Sequence, residues 1–354
     1  MSKSLYVSVI IPVKKINDYL RRETVPAILK QTYQDFEIII LPDRPSKEKF
    51  PKTKIIPTYP KTGPADKRDI GAKKAKGEIL AFLDDDSYPD KNWLKNAVKI
   101  FGQQIAAVCG PILTPPQDNL RQKASGYVWS TWLGSGGAGT YRCAPSLRRE
   151  VDDYPTVNFL VLKKDFLAVG GFDSHFWPGE DTKLCLDLVY KLGKKIIYDP
   201  KVLVYHHRRE VFGPHLKQIS RYAIHRGHFA RILPKTSFRP GYLIPTLFVL
   251  GLVIGFFLSF ICPIFRIIYL GTIGVYLIAL LITAIQVYFE RSEKQGSRRR
   301  RGSYLKNKVL AKRGSYLKEK NLKLALLVIP SILITHIVYG ILFIKGFSSP
   351  KLTR

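Results

Sequence analysis

What the chain has little of narrows it first. Acidic residues are scarce: 27 Asp and Glu stand against 57 Lys and Arg, a formal net charge of +30 over 354 residues. So large an excess implies anionic partners, whether nucleic acid, a lipid headgroup surface or phosphorylated substrates. Cysteine is scarce too, with only Cys109, Cys143, Cys185 and Cys262 and no CxxC spacing. That argues against a zinc site and a disulfide framework, and suits a reducing, cytoplasmic setting for the soluble part. Only Met1 to Leu5 precede the first strand, so no cleaved signal peptide is visible. The glycine run 134–139 (GSGGAG) lacks the GxGxxG and GxxxxGKS contexts and carries no phosphate-binding expectation.

Long apolar runs, by contrast, dominate the C-terminal third. They lie near 242–262, 266–289 and 324–344, the last with only His336 as an ionisable residue. Each reaches the roughly 20 residues that a helix needs to cross a bilayer. Cys262-Pro263 between the first two implies a tight hairpin. Segment 291–323 carries 13 Lys and Arg against Glu293 and Glu319, a net +11. The positive-inside rule makes this a cytoplasmic loop. Counting spans backwards then puts the N-terminal domain in the cytoplasm and the tail after residue 344 outside. The expected division is a soluble domain over 1–235 and a multi-pass membrane domain over 236–346. A basic loop beside a span favours anionic membrane lipids as partners, with no nucleic acid expected. Within it RGSYLK occurs twice, at 301–306 and 313–318, too short a repeat for a solenoid.

The first two-thirds alternates strands and helices. Residues 7–13 (VSVIIPV) are near-continuously apolar, as parallel strands buried on both faces are. A helical pattern follows over 18–31, begun or kinked at Pro26, then strands over 36–41 (FEIIIL) and 54–56. A loop opens a basic helix over 63–76, and 78–83 is another strand. Helix 93–101, stopped by Gly102, precedes strands at 106–109, 157–162, 195–198 and 202–205. This alternation indicates an α/β domain with a mostly parallel sheet and a nucleotide site at the strand ends.

The chemistry concentrates at residues 79–87, ILAFLDDDS, where five apolar residues run into Asp84, Asp85 and Asp86. Three adjacent carboxylates repel one another unless a cation sits among them. Hard oxygens suit Mg²⁺ or Mn²⁺, and Mg²⁺ takes one or two carboxylates plus substrate phosphates. The alternative is a solvated acidic turn that caps a helix. A second pair, Glu180-Asp181, opens a helical pattern over 182–192, where carboxylates also serve as caps. His206-His207 ends the last strand and reads as structural or solvated rather than as a metal ligand.

The order of VSVIIPV, Gln31-Thr32-Tyr33 with FEIII, Asp84-Asp85-Asp86, Val169-Gly170-Gly171-Phe172-Asp173, Gly179-Glu180-Asp181 and Gln218-Ile219-Ser220-Arg221-Tyr222 resembles the family 2 glycosyltransferases over residues 5–230. The resemblance implies a GT-A, Rossmann-like fold and a membrane-anchored type that builds exopolysaccharides and glycolipids. It implies that Asp84 and Asp86 hold Mg²⁺ or Mn²⁺ on a UDP- or GDP-sugar, and that Asp181 is the catalytic base with Glu180 beside it. It makes Pro12, Asp43, Arg68, Asp84, Asp85, Gln218, Arg221 and Tyr222 donor contacts, Asp43 at the nucleobase. The chain departs from the family where Pro42-Asp43-Arg44-Pro45-Ser46 replaces DDGS, Lys67-Arg68-Asp69 replaces ARN, and Tyr222 replaces the Trp of QxxRW.

The residue types suit the reaction. A divalent ion stabilises the charge that grows on a departing diphosphate, and Arg221 adds a positive group there. A carboxylate takes the acceptor proton. One base and no separate nucleophile imply a single displacement with inversion. The expected function is a metal-dependent, inverting hexosyltransferase at the cytoplasmic membrane face, with a lipid-linked or saccharide acceptor. The alternatives are a processive polysaccharide synthase, for which three spans are too few to form a channel, a sugar-phosphate nucleotidyltransferase, and a non-enzymatic basic membrane protein.

Overall fold

A computed structural model describes residues 5–60, 62–137, 139–289 and 322–351. The RGSYLK repeat, and all but the last two residues of segment 291–323, lie outside these. The chain divides into two compact units, each made of two stretches: Met1–Leu113 with Pro145–His207, and Thr114–Ala144 with Arg208–Arg354. The division expected at residue 235 falls inside the second unit.

The first unit is built on an eight-stranded sheet. Its strands are β1 (Val7–Pro12), β2 (Phe36–Leu41), β3 (Thr53–Ile55), β4 (Ile79–Phe82), β6 (Ile105–Cys109), β8 (Arg149–Val151), β9 (Phe159–Leu162) and β10 (Lys195–Tyr198), in the order β3-β2-β1-β4-β9-β6-β10-β8. β1 pairs in parallel with β2 and β4, β2 with β3, and β6 with β10. β9 runs antiparallel to both its neighbours, and β8 to β10. The sheet is thus mostly parallel, as the apolar runs imply. Every residue of β1, β2 and β4 is buried, and each Val, Ile or Phe so placed contributes about 1.5–3 kcal/mol. The strand expected over 202–205 is β11 (Val204–His206), and it joins a separate three-stranded sheet with β5 (Ser87–Pro89) and β7 (Ile112–Leu113).

Two expected helices are broken up locally. The pattern over 18–31 becomes a wide π-type turn, Leu20–Thr24, and then a helix, Val25–Leu29. Pro26 lies where the wide turn hands over to the α-helix, so its missing N–H and the wider turn fall at the same place. The acidic pair opens helix Glu180–Leu186, which continues as a π-type turn over Asp187–Lys191. Helix Pro64–Lys74 starts cleanly from Gly63 with Pro64 in its first turn. Gly71 lets it lie close on β1, since a Cβ there would come 2.6 Å from Ile10 Cγ2. That close approach carries Lys67, Arg68 and Asp69 to the carboxyl ends of the strands.

The second unit is helical. Helix Leu120–Ser130 is fixed by a capping box in which the Asn119 side chain accepts from the Gln122 N–H and the Gln122 side chain accepts from the Asn119 N–H, both at 3.0 Å. Helix Gly213–Ile232 follows, then Pro240–Leu258, Pro263–Phe289 and Leu322–Ser348. Among the described residues these last three are the helices long and apolar enough to cross a membrane. The helix break between Leu258 and Pro263 is the tight hairpin that Cys262-Pro263 implies. Ala124, Tyr127, Val128, Leu280, Ala284, Val287, Leu324, Ala325, Val328 and Ile332 form the unit's buried core.

Candidate active site

The site lies where β4 ends. Leu83 is fully buried, and the three aspartates follow at the turn. They do not act as a set. Asp84 accepts from Arg68 Nη2 at 2.8 Å and keeps about a third of its side chain exposed. Asp85 turns to Asn17, whose amide donates to it. Burial, then the charges of Asp86 and Asp84, push the Asp85 carboxyl up to about 6. Asp86 is buried, with Oδ1 3.0 Å from His206 Nε2.

His206 arrives there through strand pairing. β5 and β11 run antiparallel with Ser87 opposite His206, so the imidazole comes beside Asp86. The His207 N–H donates to the Asp86 carbonyl at 3.1 Å. The His207 ring stacks on Tyr19 at 4.3 Å, with Nε2 3.1 Å from Glu23. The two histidines therefore divide: His207 is structural as expected, whereas His206 belongs to the acidic cluster. Asp84, Asp86 and His206 each offer a ligand atom, and these atoms lie within 4.8 Å of one another. Two carboxylates and an imidazole suit a divalent ion. Nothing in a lone His-His pair signals this; the signal is the long-range register of two short strands.

Arg68 ties the two acidic motifs together. One guanidinium nitrogen donates to Asp84 and the other to Glu180 Oε1 at 3.1 Å. Both Arg68 and Glu180 are buried. Burial pushes the Glu180 carboxyl up, against the opposing pull of Arg68. Asp181, half-buried next to it, accepts the Thr182 N–H at 2.8 Å. The pair thus separates into an anchored Glu180 and a more accessible Asp181.

The other expected residues are placed as follows. Pro12 is the buried last residue of β1. Asp43, just past β2, is ion-paired with Lys67, whose ammonium also donates to the Val13 carbonyl at 2.7 Å. Lys67 is 3% exposed and was not among the expected residues; its partner Asp43 is shared with the proposed nucleobase contact. Asp69, the departure from ARN, accepts the Phe172 N–H at 3.0 Å. Burial pushes its carboxyl up to about 6. Gly171 holds φ at +78°, and a Cβ there would lie 2.7 Å from Asp69 Oδ1, so the Gly170-Gly171 turn and Asp69 fit each other. Gln218, Arg221 and Tyr222 are not part of this unit. They lie on helix Gly213–Ile232, where Gln218 donates to the Tyr222 hydroxyl at 3.3 Å and Tyr222 meets Trp129 edge-on at 6.0 Å.

The sequence profile described as Glycosyl transferase family 2 matches residues 8–166, which run from within β1 to just past β9 and include the three aspartates and Arg68. A pre-mycofactocin glycosyltransferase of Mycobacterium tuberculosis is 29% identical over 148 residues, covering 42% of this chain and 30% of that protein. A dolichyl N-acetyl-alpha-D-glucosaminyl phosphate 3-beta-D-2,3-diacetamido-2,3-dideoxy-beta-D-glucuronosyltransferase of Methanococcus voltae is 24% identical over 230 residues, covering 63% of this chain and 65% of that protein. The chain thus spans less than two-thirds of either relative. Among solved structures, the mannosyltransferase PcManGT of Pyrobaculum calidifontis, in complex with GDP-Man and Mn²⁺, matches at 18% identity and a TM-score of 0.49, covering 66% of this chain and 65% of that one.

Proposed function

We propose, from the match of residues 8–166 to the Glycosyl transferase family 2 profile, that the protein moves a sugar, with inversion, from a nucleoside-diphosphate donor to a lipid-linked acceptor. The observation that carries this reading is the convergence of Asp84, Asp86 and His206, with Arg68 joining that cluster to Glu180-Asp181. Hard carboxylate oxygens and one imidazole fit Mg²⁺ or Mn²⁺. Bound there, such an ion supplies Lewis-acid stabilisation to a diphosphate leaving group.

The chain's own residues do the rest. Arg68 fixes Asp84 and Glu180 in one arrangement and leaves Glu180 committed to a buried ion pair. Asp181, half-buried beside that pair, takes the proton from the acceptor hydroxyl. Lys67 fixes the Asp43 carboxylate at the end of β2, where a base would be read. The lipid acceptor is supported by the name of the Methanococcus voltae relative and by three helices apolar enough to enter a membrane. Membrane fractions offered a series of nucleotide sugars, with lipid products separated by mass, test the reading; no lipid-borne product from any donor would sink it.

The metal assignment has its own expected result. Asp86→Asn removes one of two carboxylate ligands, and electrostatic stabilisation of this kind is worth several kcal/mol. At 1.36 kcal/mol per tenfold, transfer should fall by roughly 10²–10³, and donor binding should cease to respond to Mn²⁺. Full activity of the variant in the presence of a chelator would overturn the assignment.

The orientation follows from the +11 carried by segment 291–323. Protease added to sealed cells should leave the 298–301 region intact, and the same protease should cut it in inverted vesicles. Cleavage from outside intact cells removes the case for a cytoplasmic catalytic unit.

A further inference from the structure

Helix Leu322–Ser348 is the most covered of the three apolar helices. In its most apolar window 39% is buried, against 11% and 17% for Pro240–Leu258 and Pro263–Phe289. One side of it packs on the other two apolar helices, with Gly340 against the Pro245 carbonyl, Tyr276 bonded to His336, and Leu280, Ala284 and Val287 in its core. The other side is covered by two helices that carry charge. Along its first half lies helix Leu120–Ser130, whose Ala124, Tyr127 and Val128 share a core with Leu324, Ala325, Val328 and Ile332. Along its second half runs helix Gly213–Ile232. His215 sits between Ser125 Oγ at 2.8 Å and Thr335 Oγ1 at 3.0 Å, joining all three helices. A Cβ on Gly346 would fall 1.9 Å from the Ile224 carbonyl oxygen, and one on Gly227 2.1 Å from that of Phe343. Farther along, Arg231 donates to the Ser349 carbonyl, with His228 Nδ1 3.1 Å from the same atom. Residues 215, 224 and 231 thus meet 335, 346 and 349 in step, so the two helices run parallel at backbone contact.

The two charged neighbours, Leu120–Ser130 and Gly213–Ile232, carry Arg121, Lys123, Lys217, Arg221, Arg226 and Arg231. Charged side chains in hydrocarbon are costly, and they persist there only when paired or facing water. A span that crossed the bilayer would take this basic coat in with it. The exposed apolar residues of Leu322–Ser348 are also one-sided. Leu322, Leu326, Ile341, Ile344 and Phe347 fall within about 120° of arc at 3.6 residues per turn. A helix lying in the membrane surface needs an apolar stripe and a charged face. Here the stripe is the helix's own, and the charge comes from the helices Leu120–Ser130 and Gly213–Ile232 packed beside it. The other two helices differ. Pro240–Leu258 is buried only at Thr246 and Val249, Pro263–Phe289 only from Leu280 onward, and Phe257, Phe260 and Ile261 near their junction are more than 60% exposed.

We propose that Leu322–Ser348 lies along the membrane surface with its stripe against the acyl chains, and that only the hairpin 240–289 enters the hydrocarbon. The residues after 348 then sit on the same side of the membrane as helices Leu120–Ser130 and Gly213–Ile232. Counting three spans puts them on the opposite side. The inference does not depend on the reaction proposed above.

Single cysteines read this directly in the full chain. In a background with Cys143 and Cys262 changed to Ser, Lys217→Cys and Lys351→Cys each replace an exposed side chain. A membrane-impermeant maleimide should modify both from the same side, comparing intact cells with inverted vesicles. If Lys217→Cys fails to react, Lys235→Cys, exposed just beyond the same helix, supplies the reference. Modification of Lys351→Cys from the opposite side would overturn the proposal. So would modification of Lys351→Cys only after detergent, which would put the tail in hydrocarbon.

Discussion

Arg68→Met should destabilise the protein far more at pH 8 than at pH 5. The guanidinium is 6% exposed, and Glu180, its partner at 3.1 Å, is 7% exposed. Removing one member of a buried pair leaves the other charge without compensation, at a cost of about 3–5 kcal/mol. Asp84 loses a partner too, but with a third of its side chain in solvent it adds less. The pH dependence has a definite sign. Burial already holds the folded-state Glu180 carboxyl above its ordinary 4.5, and loss of Arg68 moves it further up. A carboxyl raised in the folded state binds its proton more tightly than the unfolded chain does. Stability from this group is therefore greatest below the ordinary value and falls as pH rises through the folded one. The deficit should be small near pH 5 and full by pH 8, a Tm loss of roughly 6–20 °C at 2–4 °C per kcal/mol. Thermal melts of the detergent-solubilised chain at the two pH values measure it. Equal deficits at both would assign the loss to packing rather than to the ion pair.

The parts of this architecture that can be read from residue order are those fixed by local burial. β1, β2 and β4 stand between other strands with both faces covered, so VSVIIP, FEIIIL and ILAF are apolar without alternation. The aspartates follow β4 after Leu83 alone, and the acidic pair follows Gly179, so both motifs are visible as local patterns. What depends on distant pairing is not visible. Nothing in FLVL states that β9 runs antiparallel between β4 and β6. His206 joins Asp86 only because β11 pairs with β5 in one register. Three consecutive aspartates look equivalent in sequence, yet successive side chains in an extended turn point different ways. That geometry sends Asp85 to Asn17 while Asp84 and Asp86 converge with His206. The Lys67–Asp43 pair is hidden for the same reason, since it joins a helix to a strand end.

Asp181→Asn should leave the fold and the donor affinity in place and remove most of the turnover. Asn retains a side-chain oxygen able to accept the Thr182 N–H that Asp181 Oδ1 now accepts at 2.8 Å. Asn also remains compatible with a helix start, so Glu180–Leu186 should keep its first turn. What Asn lacks is a site for the acceptor's proton, and a lost general base lowers turnover by about 10²–10⁴. Donor binding, which falls to Asp84, Asp86 and Arg68 in the proposed site, should be unchanged when followed by calorimetry with Mn²⁺ present. An Asp181→Asn chain that fails to fold would make Asp181 a structural cap. Normal turnover would move the base elsewhere, and Glu180→Gln then decides between the two neighbours. Because Glu180 is spent on Arg68, Glu180→Gln should lower thermal stability while leaving the pH profile of turnover where it was. A profile that moved with Glu180→Gln and not with Asp181→Asn would exchange their roles.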